Sequence, residues 1–305
     1  MALSLGIDVG GTNFRIGIFQ GEKLLEQYRV EKNLSLMCSK VLPEHVGFEI
    51  IRMFTDEITF LLAEYPNIET IGIGFPGFID PATNILAQSP NFPGLKNINI
   101  AKELSEQLGK KVVVVNDANA AAYGEYCLEG KPEAGLIYIG LGTGVGGGLV
   151  VARKPFAGLH GCAMEIGHII IAPSGRRCGC GNLGCMEQYA SASGVAISYF
   201  NSTQQNLNAQ QIADLARKGD KNALEAYLKA GESLAIALAH ILKVIDVPNV
   251  TIGGGLSQAW PLMQAVFDAR LQADLIPVLR GKIIVKISSA EDSAGMLGAA
   301  LLASG

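Results

Sequence analysis

The sequence predicts an α/β protein, and three observations support that class. Predicted strands and helices alternate along the whole chain of 305 residues. A strand–turn–strand pattern with glycine in the turn occurs near the start and recurs about 130 residues later, which indicates two halves built on one plan. Glycine supplies 37 residues, roughly 12% of the chain against a usual level of about 7%. This excess predicts close approaches of the backbone at several places.

The first half begins with a predicted hairpin, whose strands at 3–9 and 14–19 flank the turn at 10–13. Four consecutive valines at 112–115 are typical of a strand that is buried on both faces. The other predicted elements of this half are a helix at 45–65, a strand at 70–74, a loop rich in proline and glycine at 75–94, a helix at 100–108 and a strand at 111–115. We place the boundary between the halves near Asn116.

The second half repeats the hairpin, with strands at 136–141 and 147–152 around the glycine turn at 142–146. The later predicted elements are an irregular stretch through Cys185, helices at 188–199, 208–217, 221–229 and 233–245, a strand at 249–252, a helix at 260–271, a strand at 283–287 and a helix at 295–303.

Charge and composition argue against several classes of protein. The 24 basic and 28 acidic residues give a net charge of −4 without any block of like charge, so we expect neither a nucleic acid nor a membrane surface as a partner. The uncharged run at 134–152 has the length of a short membrane helix, but its seven glycines argue against one. No signal-peptide pattern precedes Gly10, so we expect a cytoplasmic protein that acts on a small molecule.

The second glycine turn is a candidate for phosphate binding. Gly142, Gly144 and Gly147 have the spacing G-x-G-x-x-G, but a strand rather than a helix follows them, so a dinucleotide fold is not predicted. Backbone N–H groups in such a turn can instead converge on anionic oxygens, and Thr143 adds a hydroxyl. The alternative is an ordinary hairpin turn.

Two further glycine clusters share this ambiguity. In the first turn Asp8 precedes Gly10-Gly11-Thr12, where Mg²⁺ would reconcile a carboxylate with a nearby phosphate. A third cluster, Gly253-Gly254-Gly255, follows a predicted strand and precedes a helix. Its bare backbone suits contact with a purine, and it equally suits a tight strand-to-helix turn.

A cluster of three cysteines predicts a metal site. Cys178, Cys180 and Cys185 follow His168 by ten to seventeen residues, and three thiolates with one imidazole form the set that closes a tetrahedral zinc site. Four protein ligands leave no position for water, so the zinc would be structural. Glycines at 179, 181 and 184 would permit the sharp bends that ligation needs. The alternative is three reduced cysteines in a loop.

The chain resembles the ROK family of bacterial sugar kinases and related repressors, over essentially its whole length. The resemblance rests on seven segments in the order of the family: Asp8-Val9-Gly10-Gly11-Thr12, Ser89-Pro90-Asn91, Asn116-Asp117-Ala118-Asn119, Leu141-Gly142-Thr143-Gly144, Glu165-Ile166-Gly167-His168, the segment from Cys178 to Glu187, and Gly253-Gly254-Gly255. It implies a two-domain actin-like ATPase (ribonuclease H-like) fold with a cleft. The small domain would be 1–116, joined by the C-terminal helix 295–305, and the large domain 117–294 would carry the zinc loop 168–187.

The resemblance also implies the ligands and the roles of individual residues. ATP with Mg²⁺ would be held by the three glycine regions, and the protein would be a homodimer. Asp117, which the sequence alone would make an N-cap, becomes the catalytic base. The implied sugar contacts are Asn91, Asn116, Asp117, Glu165, His168 and Glu187, and His168 would bind zinc through one ring nitrogen. Met164 stands where the family usually has glycine, which would narrow the sugar pocket or shift the backbone.

These features favour an ATP-dependent hexose 6-kinase, with glucose as the expected sugar. N-acetylglucosamine, N-acetylmannosamine, mannose or fructose are alternative substrates, because pocket shape decides among them. A sugar-sensing repressor would need an added DNA-binding segment, and Asp8 stands only eight residues from the start of the chain. A sugar-binding module without activity is less consistent with the complete Asp117 motif.

Overall fold

The computed structural model describes residues 2–290 and 293–305; residues 291 and 292, inside the predicted large domain, lie outside the described residues. In chain order the strands are β1 (Leu3–Val9), β2 (Phe14–Gln20), β3 (Lys23–Val30), β4 (Ile68–Phe75), β5 (Phe78–Ile79), β6 (Leu86–Gln88), β7 (Lys96–Ile98), β8 (Lys111–Asn116), β9 (Leu136–Leu141), β10 (Val145–Val151), β11 (Lys154–Pro155), β12 (Asn249–Gly253) and β13 (Ile284–Ile287). The α-helices are α1 (Leu34–Lys40), α2 (Val46–Glu64), α3 (Ile100–Leu108), α4 (Asp117–Leu128), α5 (Glu187–Ala190), α6 (Ala192–Thr203), α7 (Ala209–Arg217), α8 (Lys221–Ile245), α9 (Gln264–Asp274) and α10 (Ser293–Ser304).

Two five-stranded sheets share one strand plan. Their orders are β3-β2-β1-β4-β8 and β11-β10-β9-β12-β13. In the first sheet β1, β2 and β3 pair antiparallel, and β4 and β8 then add parallel to β1. In the second sheet β12 lies parallel to β9, and β13 lies parallel to β12. The α/β class and the repeated plan are therefore confirmed.

Helix α10 packs directly on the backbone of the first sheet. Gly6 of β1 and Gly72 of β4 are register partners, and both face this helix. A Cβ on Gly6 would overlap the carbonyl oxygen of Met296, and a Cβ on Gly72 would overlap that of Ala299. Glycine is required here because the helix backbone occupies the space where a side chain would lie.

The contact between α10 and α4 is equally close. A Cβ on Gly298 of α10 would overlap the carbonyl oxygen of Ala120, and a Cβ on Gly124 of α4 would overlap that of Ala294. Small residues at a helix interface allow such an approach of the two backbones. Part of the glycine excess is therefore explained by packing rather than by ligands.

The described chain divides into two compact units. The first contains the described residues up to Glu133, residues 148–163 and the residues from Ser293 onward; the second contains residues 134–147 and Met164 to Ala290. The first unit includes α4, because this helix packs on α10, whereas the predicted large domain begins at Asp117. The exact domain limits remain a proposal.

Four predicted helices differ from those observed. The helices predicted at 221–229 and 233–245 form the single helix α8, in which Gly231 allows close approach to the Met263 carbonyl oxygen rather than a break. The helix predicted at 188–199 is divided at Ser191, whose hydroxyl caps α6 by accepting from Gly194 N–H. The helix predicted at 260–271 is a 3₁₀ segment that contains Pro261, followed by α9.

Some short strands were not predicted from the sequence. The loop predicted at 75–94 contains β5 and β6, which form a small antiparallel sheet with β7. These strands have two or three residues each, too few for an alternating pattern to be recognised. Among the described residues, no helix combines the length and the apolar character that crossing a bilayer requires.

Candidate active site

The first glycine turn closes at the carboxyl end of β1. Gly10 N–H donates to the Asn13 carbonyl oxygen at 3.0 Å. A Cβ on Gly11 would meet nothing within 4 Å, so the backbone of this residue is open to a ligand. The carboxylate of Asp8 lies beside the first turn of α10, where a Cβ on Gly295 would come within 2.9 Å of it. An exposed turn beside a carboxylate fits the oxygen donors that Mg²⁺ prefers.

Asp117 begins α4, directly after β8. Its carboxylate Oδ1 accepts from Ala118 N–H at 2.9 Å. The N-cap of α4 is Asn116, whose Oδ1 accepts from Asn119 N–H at 3.1 Å and whose Nδ2 donates to the Gly77 carbonyl oxygen at 3.3 Å. The reading of Asp117 as an N-cap is therefore wrong, since the preceding residue has that role. Asn116 Oδ1 keeps one lone pair for a ligand.

The protein environment makes Asp117 a better base. Burial raises the pKa of its carboxyl, and hydrogen bonds from the Ala118 and Asp117 backbone and from Asn116 oppose part of that rise. A carboxylate with a raised pKa accepts a proton more readily than an ordinary aspartate does.

Register places the two aspartates of this unit at one edge of the first sheet. Asp8 pairs with Gly74 and Gly74 pairs with Val115, so Asp8 lies level with a residue two positions before Asp117. With one strand between them, the Cα atoms of Asp8 and Val115 are about 10 Å apart.

Asn91 lies in the exposed loop between β6 and β7. Ser89 Oγ donates to the Pro76 carbonyl oxygen at 2.5 Å, and buried Phe92 packs on Phe75 with ring centroids 5.2 Å apart. Both anchors lie at the end of β4, next to Gly77, which Asn116 contacts. The first unit thus brings the Asn91 loop and the Asn116-Asp117 pair to the same end of the sheet.

In the second unit, the second and third glycine clusters meet at one sheet edge. Gly253 pairs with Gly140, so the two clusters follow neighbouring parallel strands. They border a cavity of about 450 Å³, within the usual range of about 300–1,000 Å³ for small-molecule sites. The cavity is lined by Gly142, Thr143, Ala192, Asn208, Ala209, Gln210, Tyr227, Gly255, Leu256 and Ala259.

The three glycines of the third cluster have different surroundings. Two of them pack closely against neighbouring residues, and one leaves its backbone accessible. Gly254 has φ +82°, and a Cβ there would meet the Leu141 carbonyl oxygen at 2.5 Å. A Cβ on Gly253 would meet the ring of Tyr138 at 2.8 Å, whereas one on Gly255 would meet nothing within 4 Å. Gly255 is the member of the cluster whose backbone is free to contact a ligand.

Several cavity residues were missed by the sequence analysis. Asn208 caps α7 in a reciprocal box with Gln211, and the Tyr227 hydroxyl donates to the Ala209 carbonyl oxygen at 2.7 Å. Leu256 and Gln210 add apolar and amide surface. These residues come from separate elements, so no spacing in the sequence could have grouped them.

The predicted metal ligands converge. The ligand atoms of His168, Cys178, Cys180 and Cys185 all lie within 4.8 Å of one another. His168 Nδ1 is 3.6 Å from Cys178 Sγ, and Cys180 Sγ is 3.6 Å from Cys185 Sγ. Ligands about 2.0–2.3 Å from a tetrahedral zinc ion would be about 3.5–3.8 Å apart. These four residues fit the predicted ion.

The surroundings of the cluster affect how its thiols would bind a cation. Burial raises the pKa of the Cys185 thiol to about 12, so a neighbouring positive charge is needed to keep this buried group as a thiolate at neutral pH. Gln188 Nε2 lies 3.6 Å from Cys178 Sγ as a donor, the kind of outer contact that orients metal ligands.

The glycines of this loop have different roles. Gly181 and Gly184 have φ of +98° and +76°, and a Cβ on Gly184 would overlap the Ala172 carbonyl oxygen. A Cβ on Gly179 would meet nothing within 4 Å. The predicted need for glycine thus holds at 181 and 184, while nothing in the structure requires it at 179.

His168 turns its two ring nitrogens in different directions. Nδ1 faces the cysteines, and Nε2 lies 3.8 Å from Glu165 Oε2. Both side chains remain partly exposed, at 33% and 41%, so both can reach a ligand. Met164, just before Glu165, has φ +64°. The backbone there keeps the left-handed conformation that glycine favours, at a cost of about 1–2 kcal/mol for a residue with a side chain.

Comparison with known proteins shows the family and the fold of this chain. The ROK family model matches residues 4–305. A glucokinase from Thermotoga maritima is 31% identical over 97% of this chain and 95% of that protein. An N-acetyl-D-glucosamine kinase from Citrobacter koseri is 34% identical over 97% of this chain and 98% of that protein. The crystal structure of a ROK family glucokinase from Streptomyces griseus, in complex with glucose and AMPPNP, has a TM-score of 0.81 at 29% identity and covers 99% of both chains. The chain therefore belongs to the ROK family and has the actin-like ATPase fold of its sugar kinases.

Proposed function

We propose that this protein transfers the γ-phosphate of ATP to the 6-hydroxyl of a hexose, with glucose as the preferred sugar. The observation that carries the proposal is Asp117, a carboxylate with a raised pKa at the carboxyl edge of the first sheet. Phosphoryl transfer to an alcohol needs one base at the hydroxyl and positive or N–H groups around the phosphates.

In this reaction Asp117 removes the proton of the sugar 6-hydroxyl as its oxygen attacks the γ-phosphorus. The bond from that phosphorus to the β–γ bridging oxygen breaks, and ADP leaves with the electron pair. Backbone N–H groups of the glycine turns hold the phosphates without side chains in the way. Asp8 would hold Mg²⁺, which when bound neutralises charge on the phosphates.

The remaining predicted residues orient the sugar. Asn91 offers an amide donor and acceptor, Asn116 offers its amide oxygen, and Glu165, His168 and Glu187 offer acceptors for adjacent hydroxyls. The ring of His168 is fixed when its Nδ1 binds a metal, which leaves Nε2 in a defined state toward the sugar.

A panel of sugars tests the proposal directly. The purified protein with ATP and Mg²⁺ is offered glucose, mannose, fructose, N-acetylglucosamine and N-acetylmannosamine, and ADP release is followed. We expect the highest kcat/KM with glucose and phosphate on O6 by NMR. A higher kcat/KM with an N-acetyl sugar would refute glucose, and no ADP release with any of them would refute the kinase.

An N-acetylglucosamine kinase is the second candidate. It is favoured by the 34% identity to the Citrobacter koseri enzyme of that name. The two candidates share the chemistry and differ in the space around the sugar C2 substituent, so the same panel separates them.

We also propose that the ion in the Cys₃His cluster is zinc and that it is structural. One zinc per chain is the expected content of purified protein. Cys178→Ser is expected to lower the zinc content by more than half and Tm by about 5–10 °C, since each kcal/mol accounts for about 2–4 °C in a unit of this size. Elemental analysis and thermal unfolding measure both quantities.

The matched control is Cys162→Ser. Cys162 is exposed and lies outside the cluster, so its replacement should leave both the zinc content and Tm unchanged. If wild-type protein purified from cells grown with zinc contains no zinc, the assignment of zinc to the cluster is wrong.

Two wider proposals concern the oligomeric state and the location of the protein. A homodimer is proposed, and light scattering on purified protein tests it. We also propose a cytoplasmic location, because the proposed reaction uses ATP, which the cytoplasm supplies.

A further inference from the structure

Glu187, the last residue of the zinc loop, contacts the second glycine turn. Its Oε2 accepts from Val145 N–H at 2.9 Å. A Cβ on Gly144 would lie 2.5 Å from the same oxygen and 3.3 Å from the carboxyl carbon. The carboxylate therefore fills the space beside Gly144 and binds the amide of the residue that follows it.

The start of α6, a few residues after Glu187, binds the turn at Gly142. Ala192 N–H, at the start of α6, donates to the Gly142 carbonyl oxygen at 2.9 Å. Within the turn, Gly142 N–H donates to the Gly144 carbonyl oxygen at 3.0 Å. Segment 187–192 thus binds both Gly142 and Val145 of the turn, which borders the cavity of the second unit.

Gly167 completes this contact. A Cβ there would meet the Val145 carbonyl oxygen at 2.5 Å and Glu187 Cβ at 3.4 Å. Its neighbour is His168, a member of the metal cluster, and Glu187 comes two residues after Cys185. The turn, Glu187 and Gly167 thus pack together, and the chain joins both Gly167 and Glu187 directly to the metal cluster.

We propose that Glu187 is a positioning residue for the nucleotide, which holds the turn at 142–145 in the conformation that binds phosphate. This inference rests on the proposed function, in which the same carboxylate also contacts the sugar. A carboxylate has two oxygens and about four lone-pair sites, so it can keep the Val145 amide on Oε2 while Oε1 accepts from a sugar hydroxyl. One side chain would then couple the sites for the two substrates.

The test measures nucleotide binding without sugar, where a residue that serves the sugar alone has no effect. Calorimetry with ADP and Mg²⁺ is carried out on the zinc-containing protein. Glu187→Ala is expected to raise the Kd for ADP about tenfold or more, since hydrogen bonds to charged groups have this magnitude. Glu187→Gln keeps an acceptor oxygen and should stay within about threefold of the wild type.

Glu225→Ala is the matched control, because this glutamate is exposed on α8, and its Kd should equal that of the wild type. If Glu187→Ala binds ADP like the wild type, the inference is wrong. If the wild type itself binds no ADP, the proposed function fails instead.

A double-mutant cycle covers the case in which Glu187→Ala disturbs the loop. Gly144→Ala places a methyl group against the carboxylate and should raise the Kd about fivefold in the wild type. In the Glu187→Ala background this clash is absent, so the added effect should be below about twofold. Additive losses would overturn the inference, and the Gly144→Ala and Glu187→Gln variants test it even if Glu187→Ala fails to fold.

Discussion

Asp117→Asn is expected to lower kcat by about 10²–10⁴-fold, the usual contribution of a general base. The amide has the size of the carboxylate but does not accept the proton of the sugar hydroxyl. Sugar binding should change little, because the amide oxygen still accepts a hydrogen bond. Steady-state kinetics and sugar titration of the same variant separate the two effects.

The same substitution is expected to stabilise the fold near pH 7. Because burial raises the pKa of Asp117, the folded state binds the proton more tightly than the unfolded state. The contribution of Asp117 to the free energy of unfolding therefore rises as the pH falls through the pKa of the folded state. At neutral pH the charged carboxylate destabilises the folded state. Asparagine removes that charge, so Tm should rise while activity is lost.

Asp56→Asn is the control for both measurements, since Asp56 is exposed on α2. It should leave kcat and Tm unchanged. The raised pKa also predicts that kcat/KM of the wild type falls on the acidic side at a pH above that of an ordinary aspartate. An Asp117→Asn variant with wild-type kcat would show that another group is the base.

Gly72→Ala is expected to destabilise the fold severely. Its Cβ would overlap the carbonyl oxygen of Ala299 in α10, and neither backbone can yield without moving a whole element. A loss above about 4 kcal/mol belongs to this class of backbone clash. We expect a variant that is largely insoluble, or one whose unfolding midpoint in urea is strongly lowered.

Gly179→Ala is the matched control, since its Cβ would meet nothing within 4 Å. It should change the free energy of unfolding by less than about 0.5 kcal/mol. A Gly72→Ala variant within 1 kcal/mol of the wild type would mean that α10 moves away from the sheet easily, contrary to the packing described.

The sequence predicted those features of the fold that depend on a single short segment of the chain. The hairpin turns, the valine strand and the Cys₃His spacing each lie within one short segment, and the structure has them where predicted. Gly231 shows the limit of such patterns. Glycine in a helical pattern predicts a break, but α8 is continuous. The Met263 carbonyl oxygen, 2.8 Å from where a Cβ would lie, shows why the helix has glycine at this position.

The candidate site shows the same limit. Asn116 and Asp117 were both predicted to contact the sugar, but the assignment of the helix cap to Asn116 depended on which amide it faces. The contact of Glu187 with Val145 joins residues 42 positions apart. Neither follows from spacing, because each depends on how distant elements pack.

The packing of α10 has a consequence for how this protein is made. Gly6 emerges from the ribosome at the start of synthesis, and its packing partner Met296 emerges about 290 residues later. During most of translation the glycine surface of β1 and β4 lies uncovered in the nascent chain. We expect the first unit to complete its fold only after residues 293–304 have been released, while the second unit, whose described residues end before them, can fold first. Chains that stop short of α10 should therefore depend on chaperones and be degraded.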